Sequence, residues 1–99
     1  MAMGRINRFP EGVGAEQYDA VSNQMGIANK PPEGLIFHSA GELDGRFQVF
    51  NVWETAEHAD RFVRERLRPA QVEVLGEERV AAMPDAENVD IAIHNYVVP

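Results

Sequence analysis

Asp44-Gly45 separates two apolar runs, Leu35 to Gly41 and Arg46 to Trp53, and that arrangement predicts a β-hairpin. Asp and Gly both accept the positive φ angles of a tight hairpin turn, so Glu42-Leu43-Asp44-Gly45 is read as the turn. Two strands alone are marginal in water, so the flanking sequence must cover at least one face of the pair.

The flanks read as the covering elements. Met3 to Phe9 has the length of a strand and stops at Phe9-Pro10-Glu11-Gly12. From Ala15 to Met25 the apolar positions Ala15, Tyr18, Val21 and Met25 are spaced three, three and four, which is helical spacing. Glu16 falls in the first turn and Gly26 where a left-handed C-terminal glycine belongs, while Gly14 is a mediocre N-cap. Asn29 to Gly34 is a loop by composition. After the hairpin, Thr55 is an N-cap for a second helix, with apolar Ala59, Phe62, Val63, Leu67, Ala70 and Val74 on one stripe. Glu57–Arg61 and Asp60–Arg64 are i,i+4 pairs on its flank, and Pro69 is expected to break or kink it near Leu67. Gly76 to Asn88, with Pro84-Asp85, is read as loop, and Val89 to Val98 as a last apolar strand. The order β-α-β-β-α-β predicts a single α+β domain over residues 1–99, a ferredoxin-like sandwich with a four-stranded antiparallel sheet and both helices on one face.

Composition narrows the function classes. The 99 residues supply one core, and the formal charge of −7 argues against nucleic acid or an anionic membrane as partner. There is no cysteine, which removes disulfides, thiolate catalysis, iron–sulfur clusters and cysteine–zinc sites. No apolar stretch is long enough to cross a membrane and no secretory leader is recognisable, so a cytoplasmic protein is expected. A phosphate-cradling loop is missing, because Gly12-x-Gly14 lacks the third glycine and the βαβ context. Ser22 and Ser39 sit in no nucleophile motif, and nothing shows paired metal-ligand spacing.

The strands are too apolar on both faces for one side to meet water. Val89, Ile91, Ile93 and Val97 alternate with Ala92, His94, Tyr96 and Val98; Phe47, Val49 and Trp53 alternate with Phe50 and Val52. A second sheet is needed to cover the free face, and a chain of this length has none to spare, so a homodimer through sheet faces is expected. The more aliphatic face should lie under the helices. His94, Tyr96 and, on the same logic, His38 would then point between the two sheets.

The pattern resembles the dimeric α/β-barrel superfamily, and within it the antibiotic-biosynthesis monooxygenase-like group. The residues that carry the resemblance are the element order itself, the strand end Val52-Trp53-Glu54-Thr55, and the following helix with Phe62 and Leu67. Gly34-Leu35-Ile36-Phe37-His38 and His94-Asn95-Tyr96-Val97-Val98 look like segments of small bacterial members. The resemblance implies two sheets packed as a dimeric barrel. It is specific for fold and weak for chemistry, since that superfamily holds oxygenases, haem degraders, isomerases and decarboxylating enzymes.

His38 and His94 are the candidate catalytic bases, because a neutral imidazole in an apolar cavity can take a proton. The competing reading is a histidine that only satisfies a neighbouring carbonyl or hydroxyl. His58, in the first turn of the second helix, is expected at the surface. The resemblance implies Asn, Trp, Tyr and Arg groups around a substrate, for which Asn51, Trp53, Tyr96 and Arg46 are the possible counterparts. Tyr18 is expected in the core with its hydroxyl at the rim. Asn7 invites comparison with haem-degrading members, which also have an asparagine in the first strand. The places of their tryptophan and histidine fall near Phe62 and Val72 here, so haem degradation of that type is not expected, whereas haem held by His38 or His94 stays open.

Two functions remain. One is an enzyme acting on a small aromatic or apolar molecule without metal, flavin or nicotinamide. By the resemblance, this is a cofactor-independent monooxygenase whose deprotonated substrate reacts with oxygen itself. The same groups could run an isomerisation or cyclisation without oxygen. The other is a non-catalytic dimer, a ligand carrier or a stress-associated protein.

Overall fold

In the computed structural model, which describes residues 2–83 and 87–99, the sheet is four-stranded with spatial order β2-β3-β1-β4. Its strands are β1 (Met3–Arg8), β2 (Leu35–Leu43), β3 (Arg46–Trp53) and β4 (Glu87–Ala92), and every neighbouring pair is antiparallel. The hairpin forms as the sequence predicts: Asp44 and Gly45 both take positive φ, 52° and 78°. The sheet of one chain is open, with β2 and β4 at its edges.

Helix α1 (Ala15–Met25) has the predicted bounds. Gly14 cannot cap with a side chain; instead its N–H donates to Gln17 Oε1 at 3.0 Å, and Gly26 closes the other end at φ 67°. The second helical region departs from expectation at Pro69. The chain stays helical through α2 (Ala56–Phe62), a π-helical turn (Val63–Leu67) and α3 (Arg68–Leu75). Arg68 N–H donates to Val63 O, five residues back, and this wider turn admits the proline where a break was expected. The extra residue also shifts the stripe: Leu67 is followed into the interior by Gln71 and Leu75, while Val74 is left 36% exposed. The Glu57–Arg61 pair forms at 3.2 Å, but Asp60 turns to Arg5 of β1 and not to Arg64.

A short helix α4 (Glu77–Ala82) occupies part of the segment expected as loop; Pro84-Asp85 lies outside the described residues. The last strand is shorter than predicted. β4 ends at Ala92, because Met3, its partner there, is where β1 begins. Beyond it only Ile93 N–H still reaches back, to Ala2 O.

The two sheet faces are the reverse of the expectation. Arg5, Asn7, His38, Val49, Asn51 and Trp53 look toward the helices, and Trp53 packs on Phe62 with ring centroids 5.3 Å apart. The open face carries Gly4, Ile6, Phe37, Phe50, Val52, Val89 and Ile91, which share registers across the ladders. Phe37 and Val89 are 48% and 49% exposed there. A side chain at Gly4 would meet Phe50 and Ile93 at 3.0 Å, so glycine lets those two close over β1. The aliphatic residues therefore lie on the side the helices leave bare.

Candidate functional site

Between sheet and helices lies a cavity of about 470 Å³. Its roof is apolar, with Val21, Met25, Phe62, Val63 and Leu67 from α1, α2 and the π-helical turn. The π turn matters to its shape, since it turns both Val63 and Leu67 inward. The floor is polar. The ladders place His38 opposite Asn51, Asn51 opposite Arg5 and Arg5 opposite Asp90, so one polar row crosses all four strands. One step along, Asn7 faces Asn88.

Hydrogen bonds organise this row into two groups. In the first, Asn51 Oδ1 lies 2.5 Å from His38 Nδ1, and the Tyr18 hydroxyl lies 2.5 Å from His38 Nε2. An amide oxygen can only accept, so Nδ1 carries the proton and Nε2 presents its lone pair to the Tyr18 O–H. His38 is thereby engaged at both ring nitrogens, and its neutral form is the Nδ1–H tautomer. Tyr18 reaches it from α1 and is held by Phe47, at 5.1 Å between ring centroids; it meets the imidazole end-on through its hydroxyl, the two rings 12° from parallel and 6.0 Å apart. Tyr18 and His38 are half-buried, and the site is their junction with Asn51.

The second group is ionic. Arg5 donates from Nε and Nη2 to both oxygens of Asp90, at 2.9 and 3.2 Å, and from Nη1 to Asp60 at 3.0 Å. These hydrogen bonds raise the Arg5 pKa against the opposing effect of burial, and the Arg5 hydrogen bond holds the Asp90 carboxyl below the usual carboxylate range. Arg5 thus ties α2 and β4 to β1 and fixes the polar row beside Asn51.

Of the residues singled out from sequence, His38, Asn7, Asn51 and Trp53 line the cavity. Asn7 Oδ1 is buried with no hydrogen-bond partner among the described residues. His94 is exposed beyond the end of β4, and Tyr96 is 49% exposed, so neither meets His38 within one chain. Arg46 is on the open face, donating to Phe9 O at 2.9 Å and to Glu87 at 3.4 Å. His58 is fixed locally by Thr55, whose Oγ1 is 2.7 Å from its Nδ1. Tyr18 is the functional candidate that sequence reasoning assigned to the core. Its place on an apolar helical stripe gave no sign of a histidine beneath it. Both nitrogens of His38 are occupied, so a haem iron would have to displace Tyr18 or Asn51 to be ligated there. Among the described residues no group of three or more His, Asp or Glu side chains is placed to hold a metal ion, and no helix is long and apolar enough to cross a membrane.

No protein-family model matches the sequence, and no curated protein matches it. Solved structures do. Rv0793 from Mycobacterium tuberculosis superposes with a TM-score of 0.67 at 14% identity, over 99% of this chain and 100% of that one. SnoaB, a cofactor-independent oxygenase from Streptomyces nogalater, gives 0.63 at 13% identity, over 97% and 96% of the two chains. A candidate antibiotic biosynthesis monooxygenase from Chloroflexus aurantiacus gives 0.62 at 12% identity over the whole of both chains. At these identities the likeness is one of fold. The four-stranded antiparallel sheet with its helices on one face is a ferredoxin-like α+β fold, the fold it shares with these structures.

Proposed function

We propose that the chain is a small-molecule enzyme, a cofactor-independent monooxygenase of an aromatic or polyketide-like substrate with His38 as its base. One observation carries the reading: an imidazole held by Asn51 stands in the polar floor of a cavity whose roof is apolar. A cavity of about 470 Å³ is in the range of pockets that hold a drug-sized ligand. The fold shared with SnoaB, a cofactor-independent oxygenase, supports the same reading.

In such a reaction the base removes a proton from an activated C–H or phenolic O–H, leaving a delocalised carbanion or phenolate. The anion gives electrons to dioxygen and a C–O bond forms, yielding a hydroperoxide. At a CH₂ carbon, loss of the second C–H proton with cleavage of the O–O bond gives a ketone and water, so one oxygen atom stays in the product. The amide N–H groups of Asn51, which lines the cavity, would stabilise oxyanion character at that wall. Asn7 Oδ1, which has no partner among the described residues, would accept from a substrate hydroxyl, and Trp53 lines the same cavity.

Assembly belongs to the same proposal. Phe37, Val89 and Ile91 make the open face apolar, and a second copy packed on it would form the two-sheet barrel. His94 and Tyr96, exposed in one chain, would act only if that second copy brings them to a cavity.

A second reading has its own support. Both nitrogens of His38 are already bonded, as in a histidine that merely stitches α1 to the sheet, and the cavity would then serve a carrier. An anthrone incubated under ¹⁸O₂ separates them. A monooxygenase places one labelled atom in the product; an isomerase or cyclase changes the substrate without label, and a carrier leaves it unchanged.

A further inference from the structure

We infer that Tyr18 is a catalytic residue: its hydroxyl takes the proton from the bound molecule while passing its own to His38 Nε2. The inference rests on the reading of the cavity as a site of proton abstraction and adds the group that touches the substrate.

The geometry argues it by elimination. His38 has two nitrogens. Nδ1 is a donor committed to Asn51 Oδ1, and Nε2, the acceptor in the neutral ring, is committed to the Tyr18 O–H, each at 2.5 Å. No basic lone pair of the imidazole is left to face the cavity. The Tyr18 oxygen spends its one proton on Nε2 and keeps its acceptor lone pairs. Of the Tyr18–His38 pair it is therefore the atom that can receive a new proton without either side chain moving.

The surroundings fix it in that position. The ring packs on Phe47 at 5.1 Å between centroids, and its hydroxyl end is fixed by the imidazole. The backbone N–H of Tyr18 donates to Gly14 O at 3.1 Å, so the side chain leaves from the anchored first turn of α1.

The step balances. The substrate C–H or O–H bond breaks and its electron pair stays on the substrate, which becomes the anion. An O–H bond forms at Tyr18 as its former O–H bond breaks, and an N–H bond forms at His38 Nε2. The resulting imidazolium keeps its Nδ1–H on Asn51 Oδ1, which makes Asn51 a positioning residue. The relay suits an acid of about phenolic strength, so the substrate class is a phenol or an enolisable ketone conjugated to an aromatic ring.

The test uses 1,8-dihydroxyanthrone as the oxidisable probe and 1,8-dihydroxyanthraquinone as an inert one. The proteins are the wild type, Tyr18→Phe, His38→Ala and the double variant, with melting temperatures read in parallel. Tyr18→Phe is expected to lower kcat about 100-fold with KM changed less than about threefold. The double variant is expected to be no slower than the slower single one, as for groups acting as a unit. Tyr18→Phe with near wild-type kcat, beside an inactive His38→Ala, overturns the relay and leaves His38 as the direct base. If the wild type consumes no oxygen, the monooxygenase reading fails and binding decides the contact. A Kd for the anthraquinone about tenfold weaker in Tyr18→Phe supports the Tyr18 contact, and an unchanged Kd overturns it. No binding by the wild type overturns both.

Discussion

His38 Nδ1 stands 2.5 Å from Oδ1 of Asn51, the residue directly opposite it on the β2–β3 ladder. A cross-strand register thus does what a buried carboxylate does in many histidine sites: it chooses the tautomer and fixes the ring plane. The difference is charge. An amide adds no negative charge beside the imidazole, and in the Nδ1–H tautomer the Nε2 lone pair lies on the α1 side, where the Tyr18 hydroxyl meets it.

Asn51→Leu keeps the approximate volume but strands the Nδ1–H of a half-buried imidazole. The expected cost is about 1–3 kcal/mol in urea unfolding. In ¹⁵N NMR the fixed Nδ1–H tautomer of the wild type should give way to a mixture or to Nε2–H. A single unaltered tautomer in the variant contradicts the account of Asn51.

The ionic group at the other end of the polar row should be structural. Arg5 has a side chain only 16% exposed, whereas its partners Asp60 and Asp90 are 57% and 51% exposed. Arg5→Met therefore removes the better buried member and should destabilise by about 1–3 kcal/mol, with Asp60→Ala and Asp90→Ala costing less. Unfolding midpoints of the three variants at one pH check the ranking.

That group also sets a pH dependence. The hydrogen bond from Arg5 lowers the Asp90 pKa, so its contribution is fully present above the unfolded value of about 3.9. The contribution is lost as pH falls from there through the lower folded value. The stability gap between the wild type and Asp90→Asn should thus be constant from neutral pH to about pH 5 and close in more acid solution. A gap that widens on acidification contradicts the assignment.

Gly34 illustrates a constraint that composition hides. It sits at φ 84°, and a Cβ there would fall within 2.7 Å of the His58 side chain. Gly34→Ala should cost about 2–4 kcal/mol, from the left-handed backbone and the clash together. Adding His58→Ala should relieve the ring part of the clash, leaving the contact with the remaining Cβ at 2.7 Å and the backbone part. Full recovery or none would show that one of the two causes is missing.

Much of this fold is legible in the residues. Asp44-Gly45, the spacing of Tyr18, Val21 and Met25, and Gly26 locate β2, β3 and α1, because turn chemistry and helical period act locally. Pro69 misleads, since a π turn can absorb a proline; Ala70 stays buried as expected, but Val74 gives way to Gln71 and Leu75 at the cavity. Helix α4 is too short and too polar to show a period. The sheet faces are misread for a different reason. Aliphatic Val89 and Ile91 suggest a helix-covered face, yet a cavity-bearing interior retains Arg5, Asn7, His38 and Asn51. His38 is readable as a candidate, but its partners are not, because Tyr18 lies on another element and Asn51 is defined only by register.

The open face carries its own expectation. If two copies pack there, sedimentation of the wild type should give twice the 11.0 kDa chain mass, and Ile91→Lys should shift it toward one. A wild type that sediments as a single chain at micromolar concentration contradicts the barrel.

Oxygen consumption is the most direct test of the central claim. Purified protein is mixed with 1,8-dihydroxyanthrone in an oxygen electrode, beside a protein-free blank and His38→Ala. The account predicts uptake well above the blank, one dioxygen per anthrone converted to the quinone, and loss of about 100-fold or more in His38→Ala. Uptake equal to the blank, or unchanged in His38→Ala, contradicts it.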